Sequence, residues 1–354
     1  MRGLLSNTGG RVHCVPQRDG QHSEHSGPDP LCFVRPPVSQ NRRVVFSGGY
    51  PSCMINTAGT KEGADVAYSS FSSLLAATNQ DFDGDIAAAA LACEAEESGE
   101  SLAEVRARFA TALTTMREAI RRGAVGDLRS HSNMTGGDGA KLLAAANGGV
   151  PVIAGPLFAR AIGSAIAVAE VNAAMGRIVA APTAGASGVV PGTLIPVADA
   201  GGIDDDALID ALAVAGAIGA IFAASATLAG AAGGCQAEIG TGASMAAGAL
   251  CYMLGGDARQ VGHAAAIAMQ GQLGLVCDPV GGLVEVPCVM RNLTGTAVAL
   301  AGAQAALAGV EFPLSLDDVV YAAQRVGASL PPSLRETARG GLAVTPGAQK
   351  LLKK

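Results

Sequence analysis

Apolar residues recur along this chain at the three-to-four spacing of helices, and no alternating pattern of useful length marks a strand. From about residue 69 to 122 the reading is helical. Its clearest stretch puts Leu102, Val105, Phe109, Leu113, Met116 and Ile120 on one face, with Glu104, Arg106, Arg108, Arg117 and Glu118 interleaved. Ser101-Leu102-Ala103-Glu104 opens that stretch as a capping box, and Gly123 and Gly126 close it. A polar, glycine-rich loop over residues 130–139 then runs into a helix around residues 141–146. A small-residue helix over 162–175 precedes a second break, Ala-Pro-Thr-Ala-Gly-Ala-Ser-Gly-Val-Val-Pro-Gly, at 181–192. Residues 211–234 carry no charge and are long enough to span a bilayer. They are mostly Ala and Gly, lack aromatic or basic flanks, and follow Asp204, Asp205, Asp206 and Asp210, so a buried core helix is the expectation and a membrane span is not. The pattern predicts an all-α protein, a single domain of tightly packed Ala/Gly-rich helices whose loops near 130, 182, 233 and 277–288 meet at one pocket.

Composition sharpens this picture in three places. A chain of 354 residues, 49% hydrophobic and 15% charged, can bury a large core. Its 48 glycines, against no Trp and eight Phe, imply helices that approach closely through small side chains. A net charge of −6 with no basic cluster excludes a nucleic-acid partner. Residues 1–57 mix Gly, Pro, Arg, Gln, Ser and His without period or secretory signal and read as a disordered leader; residues 58–354 read as the catalytic domain. The eight cysteines lack the dense spacing of a disulfide scaffold, which predicts reduced thiols and a cytoplasmic protein.

Three of those cysteines stand beside Gly- or Pro-marked breaks next to long apolar segments: Cys235 in Gly-Gly-Cys-Gln-Ala-Glu, Cys277 in Cys-Asp-Pro-Val-Gly-Gly, and Cys288 in Val-Pro-Cys-Val-Met-Arg-Asn. Three thiolates converging on one pocket are one short of a closed four-cysteine cage, which points to a reactive metal site. Backbone N–H groups where the 130–139 loop enters its helix could receive a carboxylate or phosphate, although most such turns bind nothing. The 181–192 loop is open to two readings: a crossing point for backbones, or a lining for a small polar ligand with Thr183 and Ser187 as hydrogen-bonding groups.

Thr-Gly-Gly-Asp-Gly-Ala-Lys-Leu at 135–142, Glu-Val-Asn-Ala-Ala-Met-Gly at 170–176, the Ala-Pro-Thr-Ala-Gly loop at 181, the three cysteine motifs, and Arg-Glu-Thr at 335–337 with Gly-Gly-Leu-Ala at 340–343 together resemble the α chain of iron–sulfur-dependent L-serine dehydratase. The resemblance runs from about residue 60 to the C-terminus. It implies a lyase that converts L-serine to pyruvate and ammonia with a [4Fe–4S] cluster in place of pyridoxal phosphate, held by Cys235, Cys277 and Cys288. It further implies that the substrate is held by Thr135, Gly136, Gly137, Asp138, Lys141, Thr183, Ser187 and Asn292, with Asp138 facing the ammonium group. Cys93 and Cys251 match no motif and read as small buried hydrophobes. Some family members are single chains that end in a cysteine and carry a further domain. This one ends Leu351-Leu352-Lys353-Lys354, so the resemblance implies a separate β chain, which could bring the base. His131 is the candidate base within the chain, against the plainer reading of a polar loop residue, and His263 on an apolar helix reads as a core residue. The rival readings are a pyridoxal-phosphate dehydratase using Lys141, the sole central lysine, and a non-enzymatic helical or membrane protein.

Overall fold

The structure, a computed structural model, describes residues 68–148 and 150–353. The expected leader, residues 1–57, lies outside them. Thirteen α-helices follow in order: α1 Phe71–Asp81, α2 Ile86–Ser98, α3 Leu102–Gly123, α4 Asp138–Ala146, α5 Gly155–Ala173, α6 Val189–Gly201, α7 Asp205–Ser225, α8 Gly230–Gly233, α9 Ile239–Met253, α10 Ala258–Gln270, α11 Cys288–Leu307, α12 Leu316–Ser329 and α13 Pro346–Leu351. Among the described residues no strand forms beyond a single bridge between Cys277 and Arg335, so the all-α expectation holds.

The start of α3 follows its capping box: the Ser101 hydroxyl accepts from Glu104 N, and the Glu104 carboxylate accepts from Ser101 N. Its apolar stripe buries Val105, Leu113 and Met116. At the centre stands α9, whose residues from Ile239 to Cys251 are all buried, as a helix apolar on every side must be. Around it pack α6, α7, α10 and α11, while α5 lies between α3, α4, α6 and α11. Small residues permit this crowding. A Cβ added at Gly139 would sit 2.6 Å from Ala167 N, and one at Gly192 would sit 2.7 Å from Ala165 N, so α4 and α6 meet α5 backbone to backbone. The uncharged run ends its helix at Ser225 and resumes in the short α8. Although α7 is long and apolar enough to cross a membrane, 61% of its most apolar stretch is buried inside the protein, the behaviour of a core helix.

Candidate functional site

Each cysteine is placed by a different local device. Cys235 occupies a 3-10 turn between α8 and α9, after Gly234, whose φ of 76° favours glycine. Gln236 locks that turn: its N–H donates to Leu275 O at 3.0 Å, its side chain accepts from Gly274 N at 2.8 Å, and its amide donates to Ala323 O at 2.7 Å. The segment before Cys277 is thereby laced to the segment holding Cys235. Cys277 in turn donates its N–H to Leu334 O at 2.9 Å and accepts from Glu336 N at 2.7 Å. Cys288 opens α11 directly after the cis proline Pro287.

All three thiols are buried, with exposures of 2%, 2% and 7%. Burial pushes the Cys235 thiol up to about 11 and the Cys288 thiol up to about 12, and raises Cys277 further. Beyond burial, Cys235 opposes ionisation of both other thiols, and Cys288 opposes that of Cys277, so the three sulfurs lie within electrostatic reach of one another. Glu238 acts in the same direction on all three; Glu336 does so on Cys277 and Cys288. One cation answers these charges. Arg291, three residues along α11 from Cys288, lies where its charge acts on the Cys235 sulfur, and it donates to Val276 O at 2.8 Å and to Asp278 at 2.7 Å. Burial works against its charge, but Cys235 and Asp278 more than offset this and raise its pKa. The second oxygen of Asp278 accepts from Leu342 N at 2.7 Å, which ties the chain's last segments to the site.

Buried sulfurs that resist ionisation alone become stable thiolates against a positively charged metal group, so the donor set fits one. No three His, Cys, Asp or Glu side chains among the described residues stand close enough to ligate a single ion.

The remaining loops are fastened around the thiols. Thr183 donates its hydroxyl to Glu238 at 2.9 Å. Asn292 donates to Gly185 O at 2.8 Å and to Cys288 O at 3.0 Å, and accepts from Gly188 N at 2.9 Å, so both its donors and its oxygen are engaged in clamping the 181–188 loop to α11. Ser132 donates to the buried Glu285 at 2.5 Å, which joins the 130–137 loop to the segment leading into Cys288. The expected anion site at the start of α4 is already filled. Glu170, 1% exposed, accepts from Asp138 N at 2.7 Å and from Gly139 N at 3.2 Å. Gly136 and Gly137, with φ of 139° and 85°, shape the turn before it.

Asp138 pairs with Lys141 at 2.6 Å, and the lysine side chain is 77% exposed. His131 is exposed on the 130–137 loop. The buried hydroxyls of Thr135 and Ser187 lack a protein partner and remain available. His263 accepts from Phe312 N at 3.3 Å, a structural role as expected, and Cys251 is fully buried. Sequence reasoning assigned no role to Glu238, Asp278, Glu285, Arg291 or Glu336. Arg291 was legible in principle, because a residue three positions after a cysteine on a helix shares its face. Glu336 was not, since it reaches the site only through the tertiary fold, and nothing local links Glu285 to Ser132.

The fold and the site define a class: a small-residue helical protein in which loops from across the chain bring three buried thiols beside a guanidinium and a carboxylate. Residues 83–343 match the serine dehydratase alpha chain family, and the chain belongs to that family. It is 44% identical over 242 residues to the probable L-serine dehydratase, alpha chain, of Bacillus subtilis strain 168, a match covering 68% of this chain and 80% of that protein. It is 40% identical over 206 residues to the L-serine dehydratase, alpha chain, of Peptoniphilus asaccharolyticus, covering 58% and 70%. L-serine dehydratase 1 of Escherichia coli K12 is 37% identical over 182 residues, 51% of this chain but 40% of that longer protein.

Proposed function

We propose that this chain is the α chain of an L-serine ammonia-lyase, forming pyruvate and ammonia from L-serine, with Cys235, Cys277 and Cys288 holding a [4Fe–4S] cluster. The observation that carries the reading is the set of three buried thiols from separate segments, two of them, Cys235 and Cys288, beside the Arg291 charge. Family membership supports the substrate, since the relatives are named L-serine dehydratases. When bound, such a group supplies a Lewis-acidic iron with an open position for the substrate hydroxyl, whose departure as hydroxide is otherwise prohibitive.

The chain's own groups do the rest. Burial of the thiols keeps bulk water from the site, and Arg291, held by Asp278, offers a positive charge to the Cys235 sulfur. The unpartnered hydroxyls of Thr135 and Ser187 are hydrogen-bonding groups for the substrate carboxylate. Elimination also requires a base at the Cα proton. On these loops the His131 imidazole is the group suited to take that proton near neutral pH, at whichever ring nitrogen is unprotonated. It is exposed, so it needs a covering surface to act on an enclosed substrate. A separate β chain supplies that cover or the base itself, in keeping with the name alpha chain carried by the relatives.

The test is anaerobic assay of iron-loaded protein with L-serine, following pyruvate and ammonia in equal amounts. Turnover of L-serine supports the reading. Iron-loaded protein that leaves L-serine unchanged with every candidate β chain defeats it.

A further inference from the structure

We infer that Glu238 receives the α-ammonium group of the amino-acid substrate, an inference that rests on the L-serine reading above. Glu238 lies three residues past Cys235, at the entry to α9. One oxygen, Oε1, accepts from the Thr183 hydroxyl at 2.9 Å. The other, Oε2, faces Gly230. A Cβ built on Gly230 would lie 2.8 Å from Oε2 and 3.1 Å from Cys277 Sγ, so the carboxylate and that sulfur border the same small space. A Cβ on Gly185 would stand 3.5 Å and 3.6 Å from the two carboxylate oxygens and 3.3 Å from Val284, so only glycine at 185 keeps that side of the carboxylate uncrowded.

Among the described residues nothing neutralises this group. No Lys, Arg or His among them forms an ion pair with Glu238, whereas Asp278, another carboxylate at the site, has Arg291. The charged neighbour that acts on Glu238 is another carboxylate, Glu336. A largely buried carboxylate without a cation is costly, and an amino-acid substrate brings one. In serine the hydroxyl and the ammonium group sit on adjacent carbons. A hydroxyl held beside the sulfurs therefore directs its ammonium into the space that Oε2 borders, where a charge-assisted hydrogen bond would form.

The experiment uses Glu238→Gln in the iron-loaded protein, with whatever partner chain the wild type requires. Iron content and visible absorption should stay unchanged. KM for L-serine should rise about 10- to 100-fold, the loss expected for one hydrogen bond to a charged group, while kcat changes by less than about threefold. Glycine and glycolate, which differ at the ammonium group, give a second readout as competing ligands. The wild type should prefer glycine, and E238Q should cut that preference about tenfold. Thr183→Val, which keeps the carboxylate but frees Oε1, should raise KM by a smaller factor, about three- to tenfold, with iron retained.

An unchanged KM with a kcat loss of about 100-fold or more would overturn the inference and make Glu238 the proton acceptor. Loss of iron in E238Q would overturn it in favour of a framework role. A wild type inert toward L-serine refutes the functional reading itself; an active wild type beside an E238Q of unaltered KM refutes this inference alone.

Discussion

Arg291 and Asp278 set the electrostatics from which the thiol site is built. Their side chains are 13% and 3% exposed, and the pair spans the segment carrying Cys277, the helix opened by Cys288 and the chain's last turns. Removing one partner of a buried pair strands the other, at a cost of about 3–5 kcal/mol. Arg291→Met is therefore expected to lower unfolding free energy by about that amount and to lower iron content; Arg291→Met with wild-type stability in urea would argue that the pair is solvated. At the cysteines the expectation separates two groups. Cys235→Ser, Cys277→Ser and Cys288→Ser should each lose most of the iron and the activity, because a hydroxyl is too weak an acid to stand in for thiolate at neutral pH. Cys251→Ser and Cys93→Ser should keep the iron. Iron analysis of the five variants decides it, and equal loss in both groups contradicts the assignment.

At the scale of elements, the start of α4 shows how internal chemistry pre-empts a binding site. Its N–H groups are the kind that receive an anion, and the sequence reading offered them to substrate, but Glu170 from α5 takes them. Glu170→Ala leaves those donors unsatisfied and should cost about 1–3 kcal/mol, read by chemical denaturation, with faster hydrogen exchange at Asp138 and Gly139. No change in exchange there would mean water replaces the carboxylate without penalty. The start of α3 was legible because its signal is local, whereas the small-residue helix expected over 162–175 runs from Gly155 to Ala173. The Ser101 to Glu104 box and the apolar stripe of α3 appear as the spacing requires, and so do the loops at 130, 182, 233 and 277–288. What fills a helix terminus was not legible, because Glu170 lies far along the chain from Asp138 and no spacing rule links them. The same limit hid Ser132 with Glu285, and Asn292 as a clamp on the 181–188 loop.

For the whole molecule, the site lies where segments far apart in sequence converge, and apolar side chains near it remain exposed. Leu283, Val284 and Met290 are 41%, 39% and 43% exposed, and Leu342 and Val344 are 47% and 52%. Val284 reaches to within 3.3 Å of a Cβ placed on Gly185, so part of this apolar set borders the 181–188 loop. We propose this lip as the surface a β chain covers, since solvent-facing apolar groups gathered beside a reactive site mark an interaction face. Iron-loaded α chain alone should then turn over L-serine about two to four orders of magnitude more slowly than with its partner, the range a missing proton acceptor commands. Val284→Asp should weaken that activation without altering iron content. Full turnover by the isolated chain would remove the need for a partner and leave His131 as the base.

The central claim, that three buried thiols hold an iron–sulfur group, meets its most direct test in the visible absorption of the purified chain, loaded anaerobically with iron and sulfide and then exposed to air. A broad band that forms with Cys235, Cys277 and Cys288 present, fails in each serine variant and bleaches in air is the predicted result. A colourless protein that retains no iron, or a band that survives air unchanged, would contradict it.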